Sequence, residues 1–318
     1  MPLKFARQLG IGLIHIHEKK PEPRKHHIVP VTYLGLFMIP ATDKVAILDL
    51  QAGIIRKQKP KEVLHRRDYY RQEHAPVGED QFILEKGFGK TIEANLQNII
   101  NKLIDGGNKL SEDELILFIN HLQLQRLRVP KQFDIFMKST EDWLTQFALS
   151  IPEVASGMRK YGLKVVVNDK HRFNILRQIV GSGMLFTLFS RMIWNVWTIP
   201  SGHTLVTTDN PVVIFNPYKS GEEMSGPGLL GAHVLFPLSP QYLLEMIHPE
   251  IESDPNADPL SRIQVQKFEV SQVQIRAGNI LSQNLAKKVN PLMALHADRF
   301  VVSGSEEALK AIWADFNE

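Results

Sequence analysis

Between residues 80 and 200 the apolar positions recur at three- and four-residue steps, whereas on either side they alternate or gather into short β-branched runs. Leu84, Phe88, Ile92, Leu96, Ile99 and Leu103 share one face of a long amphipathic helix. Gly106-Gly107 stops it. Ser111-Glu112-Asp113-Glu114 forms a capping box and opens a second helix, with Leu115, Phe118, Ile119, Leu122 and Leu127 on one side. The residue before a proline avoids the helical region, so that helix ends before Pro130. A third helix is expected from Lys131 to about Leu149. Asn168-Asp169 caps a fourth, which continues towards Trp194.

The flanks read as strands. Residues 45–50 turn through Gln51-Ala52-Gly53 into Ile54-Ile55-Arg56, a hairpin. Glu62 to Tyr70 leads on to a loop around Pro76 and Gly78. After Pro200 come four short strands, at residues 203–208, 212–215, 233–238 and 242–247, divided by Pro, Gly and Asn. A helix over 273–297, a strand over 299–303 and a terminal helix capped by Ser305 complete the chain. Strands and helices are segregated, which makes the fold α+β. The N-terminal hairpin and the later strands are each too few to stand alone, so they are expected to share a mixed or antiparallel sheet. The helical middle is then a subdomain inserted into one composite domain, residues 26–318. Residues 80–198 are mainly helical, 199–304 rich in strands, and 305–318 the terminal helix. Residues 1–25, basic and broken by Pro21 and Pro23, read as a flexible extension, not a signal peptide.

Charge changes this picture. The net charge of +3 conceals 14 Lys/Arg against 7 Asp/Glu in residues 1–75, where six of the 12 histidines also lie. A basic, histidine-rich quarter points to an anionic partner, phosphate above all. The chain has no cysteine, which excludes disulfides and thiolate metal sites and suits a cytoplasmic protein. No uncharged apolar run is long enough for a membrane span, so no membrane partner is expected.

Chemistry concentrates in Lys25-His26-His27-Ile28-Val29-Pro30, followed by Tyr33-Leu34 and Phe37. Imidazole is the side chain best suited to proton transfer or metal binding near neutral pH. Neighbours in a strand face opposite ways, so the two histidines serve different surroundings. The spacing His27-x-x-Pro30-x-x-Tyr33-Leu34-x-x-Phe37 resembles the opening motif of the bacterial family known as domain of unknown function 4238. Further segments resemble that family in the same order: Pro60-x-x-Val63, Arg67-Asp68-Tyr69-Tyr70, Glu85 and Glu93, and Phe118 to Arg128-Val129-Pro130. Thr208-Asp209-Asn210-Pro211, Phe236-Pro237-Leu238-Ser239-Pro240 and Asn290 complete the set. Thr208 stands where the family has serine and keeps the hydroxyl. The likeness spans about residues 25–304 and implies a single unit; it brings no activity with it. His-His-x-x-Pro is also similar to the start of histidine-asparagine-histidine nucleases, but the asparagine and second histidine of that motif do not follow.

The residues favour His27 as general base or metal ligand, with Asp209 and Asn210 orienting it or sharing the metal and Tyr33 beside them. Mg²⁺ or Mn²⁺ is the expected ion. Arg128, Arg67, Tyr70 and His26 are the candidates for holding a phosphate-bearing substrate. Glu85 and Glu93, two turns apart on one helix face, suit an ion pair with the basic quarter. The signatures of phosphate loops, nucleophile elbows, zinc proteases and dinucleotide sites are absent from the sequence. The leading expectation is a phosphodiester hydrolase of nuclease type, acting on RNA or DNA, of the kind found in bacterial toxins and phage-defence effectors. The alternative is a non-catalytic module that binds nucleic acid or a nucleotide. A third reading makes the motifs purely architectural.

Overall fold

Asp49 and Gly53 build the N-terminal hairpin. In the computed structural model, which describes residues 25–69, 93–106, 110–166, 188–217, 231–248 and 273–317, β2 (Val45–Asp49) pairs with β3 (Ile54–Gln58) in antiparallel register. The Asp49 carboxylate accepts the backbone N–H of Gln51 (3.1 Å) and Ala52 (3.3 Å) and so closes the turn. Gly53 has φ +67, and any Cβ there would collide with the Trp313 ring. Asp49 also receives a two-pronged bond from Arg299, 3.0 Å from Nε and 2.6 Å from Nη2. Arg299 leads into β11 (Phe300–Ser303), which lies beside β2. With β6 (Thr207–Thr208) the order is β3-β2-β11-β6. The hairpin does join strands from the far end of the chain.

The remaining long strands make a second sheet. β10 (Ile275–Ile280), β5 (Ile193–Thr198), β9 (Tyr242–Ile247), β8 (His233–Ser239) and β7 (Val213–Phe215) lie in that order. Only the β10–β5 pair is parallel, so this sheet is mixed. Three expectations change here. Trp194 belongs to β5, not to the end of a helix: Ile-Trp-Asn-Val-Trp-Thr alternates and is β-branched or aromatic. The helix expected over 273–297 starts only at Gln283, after β10; Ser282 Oγ accepts from Leu285 N (3.4 Å) and caps α6 (Gln283–Leu295). The strand expected over 203–208 shrinks to Thr207–Thr208, because Leu205 N goes to Pro240 O (2.8 Å) and Val206 N to Asn290 Oδ1 (3.0 Å).

Helices cover what the sheets leave bare. Pro30 leads into the single turn α1 (Val31–Leu34). Glu93 precedes α2 (Ala94–Ile104); the rest of the long helix expected from residue 80 lies outside the described residues, as do residues 167–187, where most of the fourth helix was expected. The capping box is present, with Ser111 Oγ taking Glu114 N (3.2 Å) and Glu114 taking Ser111 N (2.9 Å). It starts α3 (Glu112–Arg128), which stops before Pro130 as the sequence demands. α4 (Pro130–Ser150) and α5 (Pro152–Tyr161) follow. Ser305 Oγ takes Ala308 N (3.3 Å) at the start of α7 (Glu306–Asn317). Tyr33, Phe37, Phe118, Trp194 and Phe236 meet in one core; Leu48, Val301, Met293, Leu309 and Ile312 meet in another. Each large side chain so enclosed stabilises the fold by about 1.5–3 kcal/mol. Among the described residues no helix is long and apolar enough to cross a membrane.

Candidate functional site

Two basic triplets, 38 residues apart at their closest pair, His27 and His65, fold into a two-stranded ribbon. β1 (Lys25–His27) lies antiparallel to β4 (His65–Arg67), with Lys25 opposite Arg67, His26 opposite Arg66 and His27 opposite His65. Every one of these six side chains is Lys, Arg or His. The backbone at both ends of β4 is held in the left-handed region by non-glycine residues, Leu64 (φ 49) and Asp68 (φ 53). Such conformations cost roughly 1–2 kcal/mol each and persist where surrounding structure imposes them.

Alternation sends the two histidines apart. His26 is fully buried on the side of Arg66. Arg66 Nη2 stands 3.9 Å from Asp298 Oδ2, and its guanidinium lies 5.6 Å from the Tyr69 ring centre. His27 is half-buried and meets His65 edge to face, 5.7 Å between centres at 81°. Its Nε2 is 3.3 Å from Lys61 O. A carbonyl only accepts, so Nε2 carries the hydrogen and Nδ1 of the neutral ring keeps its lone pair. Burial lowers the His27 pKa below its usual 6.5; neighbouring His65 and Arg128 act the same way, while the Lys61 bond and Glu93 oppose them. His27 is therefore a neutral base at pH 7.

Behind the ribbon stands a polar row on α3. His121, Gln125 and Arg128 are four and three residues apart and share a face. Gln125 Nε2 donates to Ile28 O (2.9 Å), next to His27. Arg128 is 3% exposed, and its Nη1 holds Glu93 Oε1 at 2.6 Å. His121 is buried against Phe118 and Phe236; burial first, then Arg128, lowers its pKa to about 3, so it is neutral. His121 Nε2 and Gln125 Oε1 have no hydrogen-bond partner among the described residues. Leaving such atoms dry costs about 1–3 kcal/mol each.

The other sequence-predicted residues sit elsewhere. Tyr33 is buried and stacked on Phe236; its hydroxyl donates to Pro237 O (2.7 Å) and takes the Thr207 Oγ1 hydrogen (3.0 Å). Burial drives its pKa far above the usual 10, so it stays protonated. Asp209 is buried at the mouth of β11. Its Oδ1 accepts Asp298 N (2.8 Å), and its Oδ2 accepts Arg299 N (2.8 Å) and Phe300 N (2.9 Å). Burial raises its pKa to about 6 against the pull of those three bonds. Asn210 Nδ2 donates to His296 O (2.8 Å), and Asn210 N to Thr208 Oγ1 (3.1 Å). The Asp209-Asn210 turn thus ties β6 to the start of β11, and Asp298, whose N–H Asp209 accepts, stands on the Arg66 side of the ribbon. Among the described residues no group of three or more His, Cys, Asp or Glu stands where it could hold a metal ion. Arg67 is exposed on the ribbon, its Nε 3.5 Å from Asp68 Oδ2. Tyr70 and Glu85 lie outside the described residues.

Sequence reasoning passed over His65, His121 and Gln125. A signal for each existed. His65-Arg66-Arg67 mirrors Lys25-His26-His27 in composition, and the polar residues 121, 125 and 128 recur at helical spacing along the second helix.

The chain belongs to the family described as protein of unknown function (DUF4238), whose model matches residues 25–307. No curated protein and no solved structure matches it. The family-like segments knit together in space: Tyr33 bonds to Pro237 and stacks on Phe236, Glu93 pairs with Arg128, and Asn290 Nδ2 donates to Thr204 O (2.8 Å).

Proposed function

We propose that this DUF4238 chain hydrolyses phosphodiester bonds of nucleic acid, with His27 as the general base. The supporting observation is the ribbon: six Lys, Arg and His side chains in two strands, one of them a neutral imidazole whose Nδ1 has no hydrogen-bond partner among the described residues. Lys25 and Arg67, on the same face of the ribbon as His27 and His65, attract and hold the phosphate. His27 Nδ1 takes the proton from the attacking hydroxyl, either water or a ribose 2′-OH. His65, 5.7 Å away centre to centre, returns a proton to the leaving oxygen when it is in its charged form. Gln125 fixes the strand end at Ile28, and the Arg128–Glu93 pair sets the charge behind His27. General acid–base work of this kind contributes about 10²–10⁴-fold.

The test is incubation of the purified protein with RNA and with DNA, in Mg²⁺, in Mn²⁺ and in chelator, beside His27→Ala. Cleavage that falls by about 100-fold or more in His27→Ala, at an unchanged melting temperature, is the expected result. The three ionic conditions read any metal requirement directly. Salt-sensitive binding without turnover in all three would replace this reading with that of a binding module.

A further inference from the structure

We propose that the nucleic acid is taken as a single strand, and that a groove on the opposite side of the ribbon from His27 holds a nucleotide flanking the one that is cut. This rests on the reading of His27 given above. The groove, of about 500 Å³, runs between β4, the first turns of α4 and the turn before β11. That is within the roughly 300–1,000 Å³ of ligand sites in general. Arg66, Lys131 and Lys138 bring three cations to it, Asp134 and Asp298 two carboxylates, and Ile135 an apolar wall. Lys131, Asp134 and Lys138 share one face of α4 by their spacing. This is the mixture a nucleotide matches: cations for phosphate, an apolar surface for the face of the base, and carboxylates for its amino edge. The Arg66 guanidinium at the groove also lies over the Tyr69 ring, 5.6 Å from its centre.

Geometry decides between one strand and two. Arg66 follows His65 in β4 and therefore points to the other face of the ribbon. His27 and His65 lie on one side, and the groove on the other, of an element only two strands wide, with strands about 5 Å apart. A duplex has a persistence length of about 50 nm and cannot turn over so narrow a rim. A single strand rotates about every backbone bond and can.

Binding is measured by fluorescence anisotropy at fixed salt, in the His27→Ala background so that no turnover intervenes. The probes are a short fluorescein-labelled oligonucleotide and the duplex made from it. The single strand is expected to bind about tenfold more tightly or better, and Lys138→Glu, at an exposed position, to weaken it by roughly tenfold. In the presence of His27, Lys138→Glu is expected to leave hydrolysis of a small aryl phosphodiester unchanged, since that substrate reaches the histidine face alone. Lys131→Glu serves as a second variant, with thermal melting to check its fold. Equal affinity for strand and duplex, or single-strand affinity unaltered by both variants, overturns the proposal. Selective single-strand binding lost in Lys138→Glu, in a protein that hydrolyses no diester, upholds the groove and refutes the role given to His27.

Discussion

The ribbon of β1 and β4 and the turn at Asp209-Asn210 both stand out as polar clusters in the sequence, yet they meet opposite fates. At the turn, backbone N–H groups from three consecutive residues fill the Asp209 carboxylate, and the Asn210 amide donates to a fourth backbone group. At the ribbon, Lys25, Arg66 and Arg67 are exposed, and one ring nitrogen of His27 has no hydrogen-bond partner among the described residues. A polar side chain whose bonds are consumed by its own main chain is part of the architecture. One whose charge and lone pair remain outward is available to a ligand.

The sharpest way to break this comparison is to remove the two groups in turn and measure unfolding. Asp209→Ala leaves three backbone N–H donors without their acceptor and should cost roughly 3–5 kcal/mol in a denaturant titration. His27→Ala should cost less than about 1 kcal/mol. Equal losses would erase the distinction. Tyr33→Phe tests a residue that the motif shares with the ribbon but that the fold uses inside: it orphans Pro237 O and Thr207 Oγ1 and should cost about 1–3 kcal/mol, with kcat unchanged in the assay described above. A gentler probe is Arg67→Gln. It should lower the slope of log affinity against log salt by about 1, while leaving the melting temperature in place. The finest is the pH profile. Because burial lowers the His27 pKa, its proton is lost on the acid side of 6.5. The rising limb of kcat/KM should therefore lie below 6.5 and vanish in His27→Ala. A limb on the alkaline side would assign it to another group.

Local signals were readable and distant ones were not. The Ser111 box, the Pro130 stop and the hairpin at Asp49 each depend on residues within a few positions, and each stands where the sequence puts it. The strand at Trp194 was hidden because its apolar residues continue a stretch that also suits a helix. The helix expected from residue 273 was overextended because Ser282, its true cap, sits inside an apolar pattern. The pairing of the two basic triplets was hidden for another reason: three residues are too few to show a period, and setting His27 beside His65 depends on the fold between them. The role of Asp209 was equally hidden, since its donors lie 89 to 91 residues further along.

Tyr33 has one more consequence. Its hydroxyl is fastened to partners 174 and 204 positions downstream, and the ribbon is attached to it by a few residues. While the polypeptide is being synthesised, the two histidines emerge long before the groups that seat them. The ribbon is therefore set in place late, when the second half of the chain has left the ribosome, and a truncated translation product would carry the motif without the machinery.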